Sequence, residues 1–399
     1  MKKTSLFAAI LFLLALTAVA FGQNYVVGAR FVIKSETLGE ERTIIVRTPP
    51  GYERNGQRYP VLYLTDGDAH IGHTAATIEY LSRAGRMPEL IVVAITNTDR
   101  TRDLTPTNAS MWRGDGTEAK LPTSGGADKF LKFIETELIP KIEKDYRTQP
   151  YRVFAGHSFG GLFAIHAFLT RHDVFNSYIA VSPTMGWDNH LLSRKAEEFF
   201  KGRKELNKTL YLTLANEGGD ARVGFDRFKA ILAKNKPKGF EWGAMLMEDE
   251  DHGSVVMPSH YHGFRKVFDG WQVTADIARG GAPSIEEHYK KLSARFGFSV
   301  LPPEALMNQV GYQLIGAGKM DDAVAVFKSN VERYPNSANV YDSLAEAYEK
   351  MGKLDLARPN YEKAAELGAR NNDPNQQVYN TNFERVDGML KKVADGKGK

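Results

Sequence analysis

The stretch from Tyr151 to Gly161, Tyr-Arg-Val-Phe-Ala-Gly-His-Ser-Phe-Gly-Gly, constrains this chain more than any other. Tyr151 to Ala155 is aromatic and apolar and reads as a buried strand. Gly161 to Phe168, Gly-Leu-Phe-Ala-Ile-His-Ala-Phe, reads as a buried helix. Between them Gly156-His157-Ser158-Phe159-Gly160 has the Gly-x-Ser-x-Gly form of a turn so tight that the serine backbone is strained. Glycine is required on both sides because a Cβ there would meet the neighbouring strand or the helix. Such a turn lifts the Ser158 hydroxyl above the sheet edge and aims the free amides of the helix N-terminus at any oxyanion formed beside it. The same glycines would serve a plain βα connection with Ser158 as a helix cap, but a strand before and a helix after favour catalysis.

A hydroxyl needs a base to take its proton, and the base needs an orienting group. In a strand–turn–helix elbow of this kind the chain order is serine, acid, histidine. After Ser158, the strand Leu210 to Asn216 leads into Glu217-Gly218-Gly219-Asp220. Asp220 is the preferred acid, Glu217 the alternative, and whichever is not used caps the following helix. Asp251-His252-Gly253-Ser254 then follows a strand ending at Met247, and His252 is the expected base. His157, His166 and His172 belong with the elbow helix, and His190, His260, His262 and His288 lie in or beside expected helices. His70 and His73 precede the serine. The expected oxyanion donors are the backbone N–H groups of Phe159 and of Asp68, the latter in the loop Asp66-Gly67-Asp68. Asp66, Asp68, His70 and His73 match no standard metal-ligand spacing, so neither a metal nor another cofactor is called for.

Strands alternate with helices from Tyr25 to Gly270, which predicts an α/β fold: a mostly parallel sheet with helices on both faces and the ligand at the carboxyl ends of the strands. The first strands, Tyr25 to Ser35 and Arg42 to Thr48, read as a hairpin. A helix is expected over 74–83, a loop from Asn97 to Gly126 and a helix over 127–144. After about residue 275 only helical patterns remain. Val310, Gly311, Leu314, Gly318, Met320, Ala323, Phe327 and Pro335 recur 34 residues later as Leu344, Ala345, Tyr348, Gly352, Leu354, Ala357, Tyr361 and Ala369. That is the tetratricopeptide period. A final helix near 376–392 would cover the last hairpin, and the Lys/Gly tail from Lys391 to Lys399 reads as frayed.

Met1-Lys2-Lys3 and the apolar run Leu6 to Ala20 read as a cleaved signal peptide, with a retained anchor helix as the alternative. The expected domains are 1–22 signal peptide, 23–275 α/β hydrolase, 276–302 helical linker and 303–399 repeat domain with cap and tail. The mature chain, exported to the periplasm or exterior, would carry 50 basic against 48 acidic residues and no cysteine. Near-neutral charge without a basic patch argues against nucleic-acid binding, and the lack of cysteine excludes thiol chemistry and disulfides. No stable membrane anchor is expected, nor a lipid attached through cysteine.

Together with the elbow, Leu62-Tyr-Leu-Thr-Asp-Gly67, Asn97-Thr-Asp-Arg-Thr-Arg-Asp-Leu-Thr-Pro106, Ser182-Pro183, Trp187-Asp188-Asn189 and Asp251-His252-Gly253 resemble the enterochelin esterase-like branch of the α/β-hydrolase superfamily. The resemblance covers roughly residues 24–275, and through residue 369 it extends to the subgroup with C-terminal tetratricopeptide repeats. It implies Ser158 as nucleophile, His252 as base and Asp220 as acid, and it puts Gly186 where many relatives carry a second aromatic. Arg100, Arg102 and Trp112 on the long loop, with Trp187, would wall the site. Arg100 and Arg102 would either grip an anionic substrate or pair with Asp99 and Asp103, and Trp187 would be a platform or simple packing. Three readings follow. One is a serine ester hydrolase. Another is a ferric-siderophore esterase or acyltransferase on the same site, and the third a partner-binding repeat protein on a silent scaffold. The expected partners are a small ester and, through the repeats, a protein or a second copy.

Overall fold

The computed structural model describes residues 26–112 and 117–397. The signal peptide expected over 1–22 lies outside them. The apolar runs form an 8-stranded sheet of order β1-β2-β4-β3-β7-β8-β9-β10. Its strands are β1 (Ala29–Ser35), β2 (Glu40–Arg47), β3 (Tyr59–Leu64), β4 (Ile91–Ile95), β7 (Thr148–His157), β8 (Ser177–Val181), β9 (Glu205–Ala215) and β10 (Lys238–Met247). The hairpin β1–β2 and the β2–β4 pair are antiparallel, and the remaining neighbours are parallel. Every residue of β3, β4 and β8 is buried, as uninterrupted apolar strands covered on both faces must be. The edge strand β1 instead alternates exposed and buried positions along its inner half. The small hairpin β5 (Met111–Trp112) and β6 (Glu118–Ala119) stands apart from this sheet.

The helices of the α/β part are α1 (Gly67–Arg83), α2 (Arg100–Leu104), α3 (Ala127–Phe133), α4 (Ile139–Asp145), α5 (Phe159–Thr170), α6 (Trp187–Phe200), α7 (Gly219–Lys234) and α8 (Val256–Val267). A π-helical turn over Ile134–Leu138 joins α3 to α4 where one helix was expected over 127–144. Two further boundaries differ from expectation. Helix α1 begins at Gly67 rather than near 74, because Asp68, His70 and His73 in its first turns break the apolar stripe that marks a helix in sequence. The loop over 97–126 contains α2, capped by the Asp99 carboxylate accepting from the Arg102 amide at 2.9 Å. Helix α6 opens with Asp188, Asn189 and His190 all at positive φ before it becomes right-handed.

The C-terminal helices are α9 (Ala275–Arg279), α10 (Gly281–Phe296), α11 (Glu304–Gly316), α12 (Met320–Arg333), α13 (Ala338–Lys350), α14 (Leu354–Asn371) and α15 (Gln376–Lys397). Helices α11 and α13 begin 34 residues apart, at 304 and 338, and so do α12 and α14, at 320 and 354. Ala323, Phe327, Ala345, Tyr348, Ala357 and Tyr361 fill one shared core between these pairs. Gly311 is needed because a Cβ there would strike the Phe327 ring. The tail, expected to fray from Lys391, continues as helix to Lys397.

Helix α10 corrects the picture of 276–302 as a linker. Its Ile285, Tyr289, Leu292 and Phe296 are buried in the core on one face of the sheet, together with Met307 and Val310 of α11. The Phe296 ring lies 5.0 Å from Tyr151 at the start of the elbow strand and 5.4 Å from Trp271. Apolar burial of this kind stabilises by about 2–3 kcal/mol per large side chain, so the helical part is fastened to the hydrolase part rather than tethered. Among the described residues no helix is long and apolar enough to cross a membrane.

Candidate active site

All the candidate groups stand on segments that leave the carboxyl ends of parallel strands, where open α/β sheets bind ligands. Ser158 follows β7 with φ 60 and ψ −114, a conformation that L-residues avoid unless their surroundings impose it. Its amide donates to the Val181 carbonyl at 2.9 Å. A methyl at Gly156 would collide with the Gly160 carbonyl, and one at Gly160 with the Thr65 hydroxyl. Both glycines are therefore fixed by close approach, as the elbow requires.

His252 stands on the loop after β10. Its Nδ1 is 3.1 Å from Glu217 Oε1, with the N–H bent off the line to the oxygen. The centre of its ring lies 4.6 Å from that of His157, the residue before Ser158, with the two rings tilted by 45°. Burial pushes the Glu217 carboxyl up, but the close His252 ring and Ser182 hydroxyl outweigh it and hold the group below its ordinary range.

Asp220, the preferred acid, is not beside His252. Helix α7 begins at Gly219, so Asp220 lies in its first turn, where its Oδ1 is 3.7 Å from His190 Nε2. The Glu217 amide bonds instead to the Ala215 carbonyl at 2.7 Å, a tight turn that keeps Glu217 over the end of β9. It is the alternative carboxylate, Glu217, that stands beside His252. Gly186 faces Asp220: a Cβ there would lie 3.0 Å from the Asp220 Cβ.

The two expected oxyanion donors sit in corresponding places. Phe159 is the first residue of α5, and Asp68 lies in the first turn of α1, where helix amides have no partner within the helix. Asp66 is buried in the left-handed conformation, φ 53, and Gly67 lets α1 start hard against β4, since a Cβ there would meet the Ala94 backbone at 2.7 Å.

The three groups expected to meet substrate are engaged elsewhere. Arg102 Nη2 bonds Glu40 Oε1 at 2.6 Å and its Nε bonds Asp103 Oδ1 at 2.8 Å. The Trp187 ring is 2% exposed, donates through Nε1 to Thr107 Oγ1 at 3.0 Å and backs onto Phe159. Arg100 turns to Asp66 rather than to Asp99 or Asp103, with Nε 2.6 Å from Oδ1. Asp66, weighed as a metal ligand, also accepts from Asn97 Nδ2 at 2.6 Å.

Sequence reasoning passed over His157 and Ser182. The signal for His157 was its place inside the elbow, and for Ser182 its place directly after β8. His157 opens a row of imidazoles running inward: His70 at 5.7 Å from it, His73 at 5.3 Å from His70, and His260 at 5.7 Å from His73. Burial holds all four below the usual histidine range, with His157 pushed down to about 4. The folded state keeps these rings neutral while the unfolded chain protonates them near 6.5, so stability rises with pH across this window. Thermal melts are expected to show the melting temperature falling from pH 6.5 toward 4, before the paired carboxylates titrate. A flat melting temperature over that range would contradict the burial of the row.

The profile of the putative esterase family matches residues 35–214. The siderophore enterobactin esterase of Emericella nidulans is 32% identical over 252 residues, 52% of this chain and 81% of its own length. The ferri-bacillibactin esterase BesA of Bacillus subtilis is 36% identical over 171 residues, 39% of this chain, and the match spans 58% of that relative. Among solved structures, an IroE-like serine hydrolase from Shewanella oneidensis superposes with a TM-score of 0.66 at 29% identity, covering 77% of this chain and 99% of its own. An uncharacterised protein from Capnocytophaga ochracea shares the fold over 90% of this chain and 99% of its own, with a TM-score of 0.63 at 17% identity. The chain therefore belongs to the putative esterase family and is a hydrolase acting on ester bonds.

Proposed function

We propose that this protein hydrolyses siderophore-type esters through Ser158, His252 and Glu217. The observation that carries the proposal is the 3.1 Å contact between His252 Nδ1 and Glu217 Oε1, beside the strained turn of Ser158. A proton on Nδ1, held by the carboxylate, leaves Nε2 free to accept. His252 Nε2 takes the Ser158 proton as Oγ attacks the ester carbonyl. The Phe159 and Asp68 amides hold the resulting oxyanion. The proton then passes to the departing alcohol as the C–O bond breaks, leaving an acyl-serine. Water, deprotonated by His252, attacks that ester, and its proton returns to Ser158 Oγ as the acid leaves.

The siderophore class is drawn from the relatives that bear that name, and the 34-residue offset supports reading α11 to α14 as two tetratricopeptide repeats with α15 as their cap. With the signal peptide read at 1–22, the enzyme acts outside the cytoplasm. The test is a panel of iron-free and ferric catecholate and hydroxamate ester siderophores beside p-nitrophenyl butyrate, with products separated by chromatography. Acid and alcohol fragments from at least one siderophore ester, absent with Ser158→Ala, are expected. Turnover of p-nitrophenyl butyrate without cleavage of any siderophore would overturn the substrate class and leave the esterase.

A further inference from the structure

We infer that Arg100 is a positioning residue that sets the oxyanion hole by tying together the two loops that form it. The inference rests on the reading of the Phe159 and Asp68 amides as the oxyanion donors. Arg100 sits at the first position of the short helix α2, after β4, and its side chain is 32% exposed. Its guanidinium makes a fork on Asp66, Nε to Oδ1 at 2.6 Å and Nη2 to Oδ2 at 3.1 Å. The same Nη2 donates to the His157 carbonyl at 3.0 Å, and the guanidinium lies 5.4 Å above the Phe159 ring.

These contacts fall on both sides of the expected hole. Asp66 is the left-handed residue from which α1 starts, two positions before Asp68, and its side-chain exposure is only 8%. His157 and Phe159 flank Ser158. One planar cation therefore links the turn that aims the Asp68 amide to the turn that aims the Phe159 amide. A rigid fork can hold both at once, and a lysine point charge cannot. With Nε and Nη2 held by Asp66 and His157, Arg100 acts on the reaction by fixing where two amides stand. A displacement of about 1 Å in such donors costs roughly 10²-fold in rate.

The test compares wild type with Arg100→Lys and Arg100→Gln on p-nitrophenyl butyrate, which is neutral, and on the p-nitrophenyl monoester of succinic acid, which is anionic. A boronic acid whose tetrahedral adduct resembles the intermediate is titrated against each enzyme. The expected result is a fall in kcat of roughly 10²-fold with both esters and KM within about threefold, with boronate affinity lost in step. Arg100→Lys keeps the charge beside Asp66 and so guards against a variant that merely fails to fold. It should show the same loss while melting near wild type. A rise in KM confined to the anionic ester, with the neutral ester unaffected, would make Arg100 a substrate anchor and overturn the inference. Unchanged kcat in both variants would overturn it while leaving the Ser158 reading intact. Wild type inert toward both esters would bring down the two together.

Discussion

Ser158→Ala is expected to lower kcat on p-nitrophenyl butyrate by roughly 10⁴- to 10⁶-fold, and Glu217→Gln by about 10⁴-fold, while Asp220→Asn stays within about threefold of wild type. The contrast between the two carboxylates is the informative part. An amide at 217 would turn the imidazole of His252 toward the wrong tautomer and could not stabilise the cation that forms during attack. Asp220 lies 3.7 Å from His190 and its side chain is 73% exposed, so losing its charge leaves the base His252 untouched. Equal losses in Glu217→Gln and Asp220→Asn would mean that the 217–252 contact is not the one used.

The second large effect is on stability, and it reaches the site through the loop that bears Arg100. Arg42 on β2 is 1% exposed and donates to Asp103 Oδ2 at 2.5 Å, to Glu40 Oε1 at 2.8 Å and to the Thr96 carbonyl at 3.2 Å. Asp103 also holds Arg102, which bonds Glu40 in turn. This cluster pins α2 against the sheet, and removing Asp103 leaves the buried Arg42 charge with only the partly exposed Glu40 as its carboxylate partner. Asp103→Ala is expected to cost about 3–5 kcal/mol, read as a lower urea midpoint at an unchanged slope. Arg42→Met combined with Asp103→Leu should recover much of that loss, because no unpaired charge remains inside. If the single and double variants unfold at the same urea concentration, the buried pair is not what holds the loop.

The fold and the elbow were legible because local pattern and global role coincide there. The strand ending at Ala155 and the helix from Gly161 are buried nearly throughout, so their uninterrupted apolar runs carried the signal. The 34-residue offset was legible because the same small and large residues must meet in both hairpins. Choosing the acid was harder. Glu217 and Asp220 stand three positions apart after the same strand, and the decision lies in whether the turn closes at Ala215 or the helix begins at Gly219. Both happen, and no composition rule says so. Helix α1 hid its first turns because Asp68, His70, Gly72 and His73 interrupt the apolar pattern there. The role of 276–302 was equally hidden, since Gly280 and Gly281 punctuate the chain like a linker while Tyr289 and Phe296 bury themselves beside the sheet.

The most direct test of the account is covalent labelling of the intact protein with a fluorophosphonate, followed by peptide mass spectrometry. One adduct per chain is expected, carried by Ser158, formed far more slowly in Glu217→Gln and absent in Ser158→Ala. An adduct on another residue, or esterase activity that survives Ser158→Ala undiminished, would contradict it.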